Sequence, residues 1–188
     1  MTSTLANEID QLIAENSGIR LDVGCGGNKQ EGFVGMDIRP LDGVDIIHDV
    51  EVYPWPLPND CVLVAICSHL VEHINPHRFG FINFMNELWR VMKVDGEVLI
   101  ICPHAHSTGF AQDPTHCNMV NEVTFAYFDP MESKTAGMLY NIYQPKPWRI
   151  KTFSFNPAGN IECVLVKRDE RFRENGGNGK TDKATIER

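Results

Sequence analysis

The chain has 188 residues, 43 % of them hydrophobic, with 17 Lys+Arg against 25 Asp+Glu and a formal net charge of −8. That length gives one domain as the default and buries a core without disulfide help. The acidic balance offers no basic footprint for nucleic acid or anionic lipid, and no apolar run is long enough to span a bilayer.

Leu5 to Glu15 carries apolar Leu5, Ile9, Leu12 and Ile13 at helical spacing. No charged-then-apolar leader is expected in the first 30 residues. Ile19 to Val23 is a short strand running into Gly24-Cys25-Gly26-Gly27. Phe33 to Ile38 and Val44 to Ile47 are the next two apolar runs. Cys61 to Cys67 is a fourth, preceded by the Pro-rich loop Tyr53 to Pro58. Continuous apolar runs suit strands buried on both faces, as in parallel sheets. His77 to Met92 reads as an amphipathic helix closed by Asp95-Gly96, with Phe81, Phe84, Met85, Leu88, Val91 and Met92 on one face. Glu97 to Cys102 is a fifth strand. Arg149 to Phe155 and Ile161 to Val166, joined by Asn156 to Asn160, form an antiparallel hairpin. From Arg168 to Arg188 the chain is polar, with a Gly-Gly-Asn-Gly stretch, and reads as a flexible tail.

Buried strands linked by helices and ended by a hairpin predict an α/β three-layer architecture over residues 1–167. The early crossovers are unusually short: only Gly24 to Gly32 separates the first two strands, where a dozen or more residues are usual. The six cysteines form no C-x-x-C pair, so no zinc ribbon is expected. Their place in apolar runs suits free thiols in a reducing, cytoplasmic setting.

The chemistry concentrates where the first strand meets its glycines. Glycine lets the backbone turn sharply and a ligand approach closely, and α/β sheets bind ligands beyond the carboxyl ends of their strands. Asp37 ends the second strand, placed to accept hydrogen bonds from both hydroxyls of a ribose. Standing alone it would read as a turn or cap residue.

Leu21 to Gly27, Gly35-Met36-Asp37-Ile38, Asp49, Cys67 to Ile74 and Glu87 to Glu97 together resemble the class I S-adenosylmethionine-dependent methyltransferases. The closer likeness is to the compact branch acting on small molecules or glycans. The resemblance covers about residues 19 to 130, and the terminal hairpin fits it as well. It implies a Rossmann-like, mostly parallel seven-stranded sheet of order 3-2-1-4-5-7-6 with an antiparallel terminal hairpin. It also implies S-adenosylmethionine as cofactor and a small-molecule or glycan-type acceptor, with no nucleic acid. Asp22, Gly24, Cys25 and Gly26 would line its methionine end. Asp37 would hold the ribose, Ile38 would lie against adenine, and Asp49 and Val50 would contact adenine. Ser68 and His69 would face the methyl group. The dinucleotide pattern G-x-G-x-x-G is not met, which argues against NAD.

All seven histidines fall between His48 and His116. His69, His104, His106 and His116 are candidates for base or orienting roles, the last three in an insertion over residues 103–148 that would cover the site. Phe125, Tyr127 and Phe128 would wall an acceptor pocket or simply be core. No metal is assigned. A competing reading takes His69-Leu70-Val71-Glu72-His73 as the H-x-x-E-H signature of a zinc hydrolase, with both histidines on one helix face. That motif directly follows a buried strand, and similar wording is ordinary in the methyltransferases. A third reading is a non-catalytic subunit, motivated by the short crossovers and by a glycine missing from the usual methyltransferase spacing.

Overall fold

The computed structural model describes residues 3–132 and 140–169. In chain order it has α1 (Ser3–Asn16), β1 (Ile19–Val23), β2 (Val34–Asp37), β3 (Ile46–Ile47) and β4 (Val62–Ser68). These are followed by α2 (Gly80–Val91), β5 (Met92–Pro103), α3 (Thr108–Ala111), β6 (Trp148–Phe155) and β7 (Asn160–Lys167). Short 3-10 turns occupy Val71–His73, His77–Phe79 and Phe125–Phe128. Most of the polar tail, from residue 170 onward, lies outside the described residues. Arg168 is described, and it is tied to Asp129 at 3.0 Å.

The strands form one seven-stranded sheet of order β3-β2-β1-β4-β5-β7-β6. Strands β3, β2, β1, β4 and β5 pair in parallel, and β7 is antiparallel to both β5 and β6. This is the expected order and hairpin. The register aligns Leu21, Ala65, Val98, Leu165 and Ile150 across five strands, every one of them buried. Against the core pack Phe84, Met85 and Leu88 of α2, all fully buried, with Leu88 one helical turn beyond the other two. Each such side chain contributes about 1.5–3 kcal/mol of burial.

The opposite face carries Asp22, Ile66, Leu99 and Val164 in a row, the last three only half-buried. Its thinner cover has a visible cause. Residues 24–33, 38–45 and 48–61, which join β1 through β4, contain no helix. The β1–β2 loop instead satisfies its own backbone. Gly24 and Cys25 both donate to the Met36 carbonyl, Gln30 N–H donates to Asp22, and Lys29 pairs with Asp45 at 2.7 Å. A parallel crossover is thus completed without a helix.

Two boundaries move. The helix expected from His77 begins at Gly80, because Arg78 and Phe79 have φ of 52° and 65°, a left-handed conformation no helix contains. The fifth strand begins at Met92 rather than Glu97. Met92 is already extended and pairs with Val62, and the register then shifts before Val64 pairs with Glu97. Asp95, at φ 63°, lies in that irregularity. Among the described residues, no helix is long and apolar enough to cross a membrane. All six cysteines are free.

Candidate functional site

At the carboxyl end of β1 the chain turns through Gly24 (φ 71°) and Gly26 (φ 55°), a region that glycine enters without a Cβ penalty. Nothing stands within 4 Å of where a Cβ on Gly27 would be, so the backbone here is open to a ligand. Gly24 is different: a Cβ there would meet the Leu70 side chain at 2.8 Å. Its glycine serves packing of the β4 turn against β1.

Asp37, at the tip of β2, points back at this turn. Oδ2 accepts the Gly26 N–H at 2.9 Å, and Oδ1 accepts the Arg39 N–H at 2.9 Å and its Nε at 3.4 Å. Burial alone would raise this carboxyl, but the two amides and the Arg39 guanidinium outweigh it and hold the group below its usual value. Asp37 is therefore a fixed carboxylate with one lone-pair position free on Oδ2, while the second position of Oδ1 is taken only by the long 3.4 Å contact from the exposed Arg39 side chain. Beside it Ile38 is 60 % exposed, an unusual state for an isoleucine next to a buried strand.

Asp22 is buried and accepts the Gln30 N–H at 2.9 Å. Burial raises its carboxyl, partly offset by the Gln30 amide and Lys29. The two acids therefore have opposite linkage to folding. The folded value of Asp22 lies above the unfolded 3.8, so its contribution is fullest below that pH and is lost as pH rises through the folded value. Asp37, depressed when folded, contributes above 3.8, and this is lost as pH falls through its folded value. Asp22→Asn keeps an oxygen for the Gln30 amide and removes a buried charge. Urea unfolding at pH 7 is expected to give stability equal to or above wild type within about 1 kcal/mol. A loss of more than about 2 kcal/mol would show that the charge itself holds the loop.

Cys25 is buried between these carboxylates. Desolvation, then Asp22 and Asp37, push its thiol up to about 11, so it is no nucleophile at neutral pH. Asp49 accepts the Glu51 N–H at 2.9 Å, and the carbonyl of buried Val50 accepts Trp55 Nε1 at 3.0 Å. Trp55 N–H in turn donates to Glu87 of α2, and Arg90 binds the carbonyls of Trp55 and Leu57. This network fastens the Pro-rich loop to α2 and so sets the position of Asp49 and Val50.

The rim beyond β4 and β5 divides these histidines into two groups. Ser68 ends β4, exposed, and His69 follows at φ 52° with its N–H on the Ile101 carbonyl. His69 Nδ1 lies 3.2 Å from Oε1 of fully buried Glu72. His73 and His116 belong to the same group, their rings 4.7 Å apart. The second group is His104, His106 and Glu122. His104 Nδ1 accepts the His106 N–H at 3.1 Å, so Nε2 carries the proton that goes to Glu122 at 3.0 Å.

The helix expected for the H-x-x-E-H segment does not form. Val71–His73 is a 3-10 turn and His69 is left-handed, so the one-face argument for His69 with His73 fails. Among the described residues, the group placed to share an ion is Glu72, His73 and His116. Tyr127 and Phe128 do line a cavity of about 570 Å³ with Phe79, Phe81 and Tyr143, whereas Phe125 is fully buried core. Sequence reasoning missed Arg39, whose signal was its place two residues after a strand-ending Asp, where an N–H regularly bonds the carboxylate.

Comparison with family models finds no match, and no curated protein matches the sequence. Solved structures do. A SAM dependent methyltransferase from Archaeoglobus fulgidus is 20 % identical over 87 % of this chain and 93 % of its own, with a TM-score of 0.54. The 1,6-didemethyltoxoflavin-N1-methyltransferase of Burkholderia thailandensis, solved with S-adenosylhomocysteine, is 13 % identical over 89 % and 79 %, TM-score 0.54. The 16S rRNA (adenine(1408)-N(1))-methyltransferase from Catenulisporales acidiphilia is 12 % identical over 88 % and 92 %, TM-score 0.58. At these identities the likeness is one of fold: the chain has the class I methyltransferase fold.

Proposed function

We propose that this chain, built on the class I methyltransferase fold, binds S-adenosylmethionine at the β1–β2 tips and transfers its methyl group to a small-molecule or glycan-type acceptor. The observation that carries the reading is the ionised Asp37 carboxylate, fixed on the Gly26 amide with exposed Ile38 beside it. A ribose with two vicinal hydroxyls would fill the free position on Oδ2 and displace the long Arg39 Nε contact from Oδ1, and an adenine ring would cover Ile38. The residues therefore fit the cofactor. When bound, it supplies a sulfonium methyl that is already electrophilic.

The chain's own contribution is then orientation and proton removal. His69 is the base of choice. Its Nδ1 donates to Glu72, which leaves the Nε2 lone pair on a half-exposed ring at the end of β4. His104 uses both nitrogens internally, and His116 is nearly buried, so these serve positioning. The net charge of −8 supports a neutral or cationic acceptor over a polyanion. The free cysteines support a cytoplasmic setting.

Calorimetry with S-adenosylhomocysteine tests the reading: saturable one-to-one binding is expected. Ile38→Ala, a change at an exposed side chain, should lower affinity about 3- to 10-fold through lost apolar contact while leaving the melting temperature alone. Absence of binding at millimolar ligand in folded protein would reject the proposal. Binding without transfer across a broad acceptor panel would instead support a non-catalytic subunit.

A further inference from the structure

The segment between β5 and β6 returns one histidine to the turn that follows β4. Cys117 and Asn118 both donate backbone N–H bonds to the Glu72 carbonyl, at 2.9 and 3.0 Å. Asn118 Nδ2 adds a bond of 2.8 Å to the Val71 carbonyl. This lattice holds His116 against the Val71–His73 turn. One ligand atom from each of Glu72, His73 and His116 lies within 4.8 Å of the other two.

Three features of these side chains point to a cation between them. Glu72 is fully buried, and its Oε2 has no hydrogen-bond partner. A bare carboxylate oxygen in such a place is costly unless something positive meets it. His116 Nδ1 lies 3.0 Å from the Phe110 carbonyl, which only accepts. Its proton is therefore on Nδ1 and its lone pair on Nε2. The Thr115 hydroxyl gives its one proton to Asp113 Oδ1 at 2.6 Å, so it accepts from His73 Nδ1 at 3.1 Å. His73 Nε2 thereby also keeps its lone pair. Imidazoles that bind metals are held in this way, by an outer partner on the other nitrogen.

We propose that Glu72, His73 and His116 form a binding site for a divalent transition metal of the zinc type, which clasps the β5–β6 segment to the turn after β4. Two imidazoles and a carboxylate suit zinc and its neighbours rather than magnesium or calcium. Ligand atoms around zinc sit about 3.4 Å apart for bonds of about 2.0–2.2 Å. Closing the site thus asks for movement of about 1 Å, within reach of the exposed His73 side chain. The fourth position is left to water or to Asp113, whose Oδ2 is 3.7 Å from His116 Nε2. The site does not depend on the cofactor reading, though Glu72 also holds His69 and so links the ion to the rim.

The test uses the full chain, stripped with a chelator and titrated with zinc. Metal analysis after dialysis should give one zinc per chain. The melting temperature should rise by about 5–10 °C when free zinc reaches a hundredfold excess over its Kd. His73→Ala removes an exposed ligand, so its metal-free form should melt with metal-free wild type. Its zinc affinity should nevertheless fall more than about 100-fold, beyond the loss usual for an outer partner. Glu72→Gln should do likewise, and His106→Ala should bind as wild type does. Wild type that retains no zinc and shows no thermal shift overturns the proposal, as does zinc affinity that His73→Ala leaves unchanged.

Discussion

Replacing Asp37 by Ala is expected to weaken S-adenosylhomocysteine binding by at least about 100-fold, measured by calorimetry. The size follows from what the carboxylate offers. Two hydrogen bonds from ribose hydroxyls to an ionised acceptor are together worth about 3 kcal/mol at the low end of the range for charged groups, which is about a factor of 100. The carboxylate also holds the glycine turn, since Oδ2 takes the Gly26 N–H and Oδ1 the Arg39 N–H. Alanine leaves both amides without that acceptor, at about 1–3 kcal/mol if water does not reach them. Stability and affinity will therefore fall together, and the two causes must be separated. Arg39→Ala does so from one side. It removes only the guanidinium contact, from a side chain 65 % exposed, and such pairs contribute about 0–1 kcal/mol. Its binding should stay within a few-fold of wild type. Asp37→Asn separates them from the other. One amide oxygen still accepts, but the NH2 faces a donor, so partial stability returns while the charge does not. Affinity that recovers with Asp37→Asn in step with the melting temperature would assign Asp37 to the turn alone. Affinity still down by tenfold or more, in a protein that melts near wild type, assigns it to the ligand.

The sheet was legible from sequence because its strands are continuous apolar runs, and such runs have few other places to go. Val62 to Cys67, all but the first residue of the fourth run, and Glu97 to Cys102 lie within single strands, paired with each other as expected. The α2 start was not legible. It depends on two non-glycine residues, Arg78 and Phe79, held left-handed, and nothing in their identity announces that. The β1–β2 crossover was legible as short but not as feasible. What makes it feasible is the Asp22–Gln30 bond and the Lys29–Asp45 pair, which side-chain type alone does not reveal. The candidate site divides in the same way. The glycine turn and Asp37 are local to strand ends, so spacing finds them. The sequence groups His116 with His104 and His106, but His116 joins His73 instead, because backbone bonds from Cys117 and Asn118 to Glu72 hold it against the turn after β4. Contacts between residues some forty-five positions apart carry no signal in residue spacing.

The largest loss of stability is expected at a glycine whose role is steric. Gly80 opens α2 with φ −51°, a conformation any residue adopts. The restriction is instead that a Cβ at this position would overlap the Asn75 carbonyl oxygen, with Glu51 Oε1 at 3.7 Å behind it. That carbonyl cannot simply retreat. Asn75 N–H is tied to Glu51 at 2.8 Å, and the His77 N–H is tied to the Asn75 side chain at 2.9 Å. The left-handed pair Arg78 and Phe79 then fixes the angle at which the chain enters the helix. Gly80→Ala must therefore break one of these bonds or shift the first turn of α2. That turn carries Phe81, which packs edge-on against Phe128 with ring centroids 5.4 Å apart. Phe84 and Leu88 lie further along the same buried face. A shift felt there loosens the main core contact of the helix, so a cost of about 3 kcal/mol or more is expected, against about 1 kcal/mol gained when alanine replaces an unhindered helical glycine. Urea unfolding decides between these signs. A midpoint well below wild type, with an unchanged dependence on urea, is the expected result. A stabilised Gly80→Ala protein would mean that the Asn75 carbonyl does not stand over the start of α2.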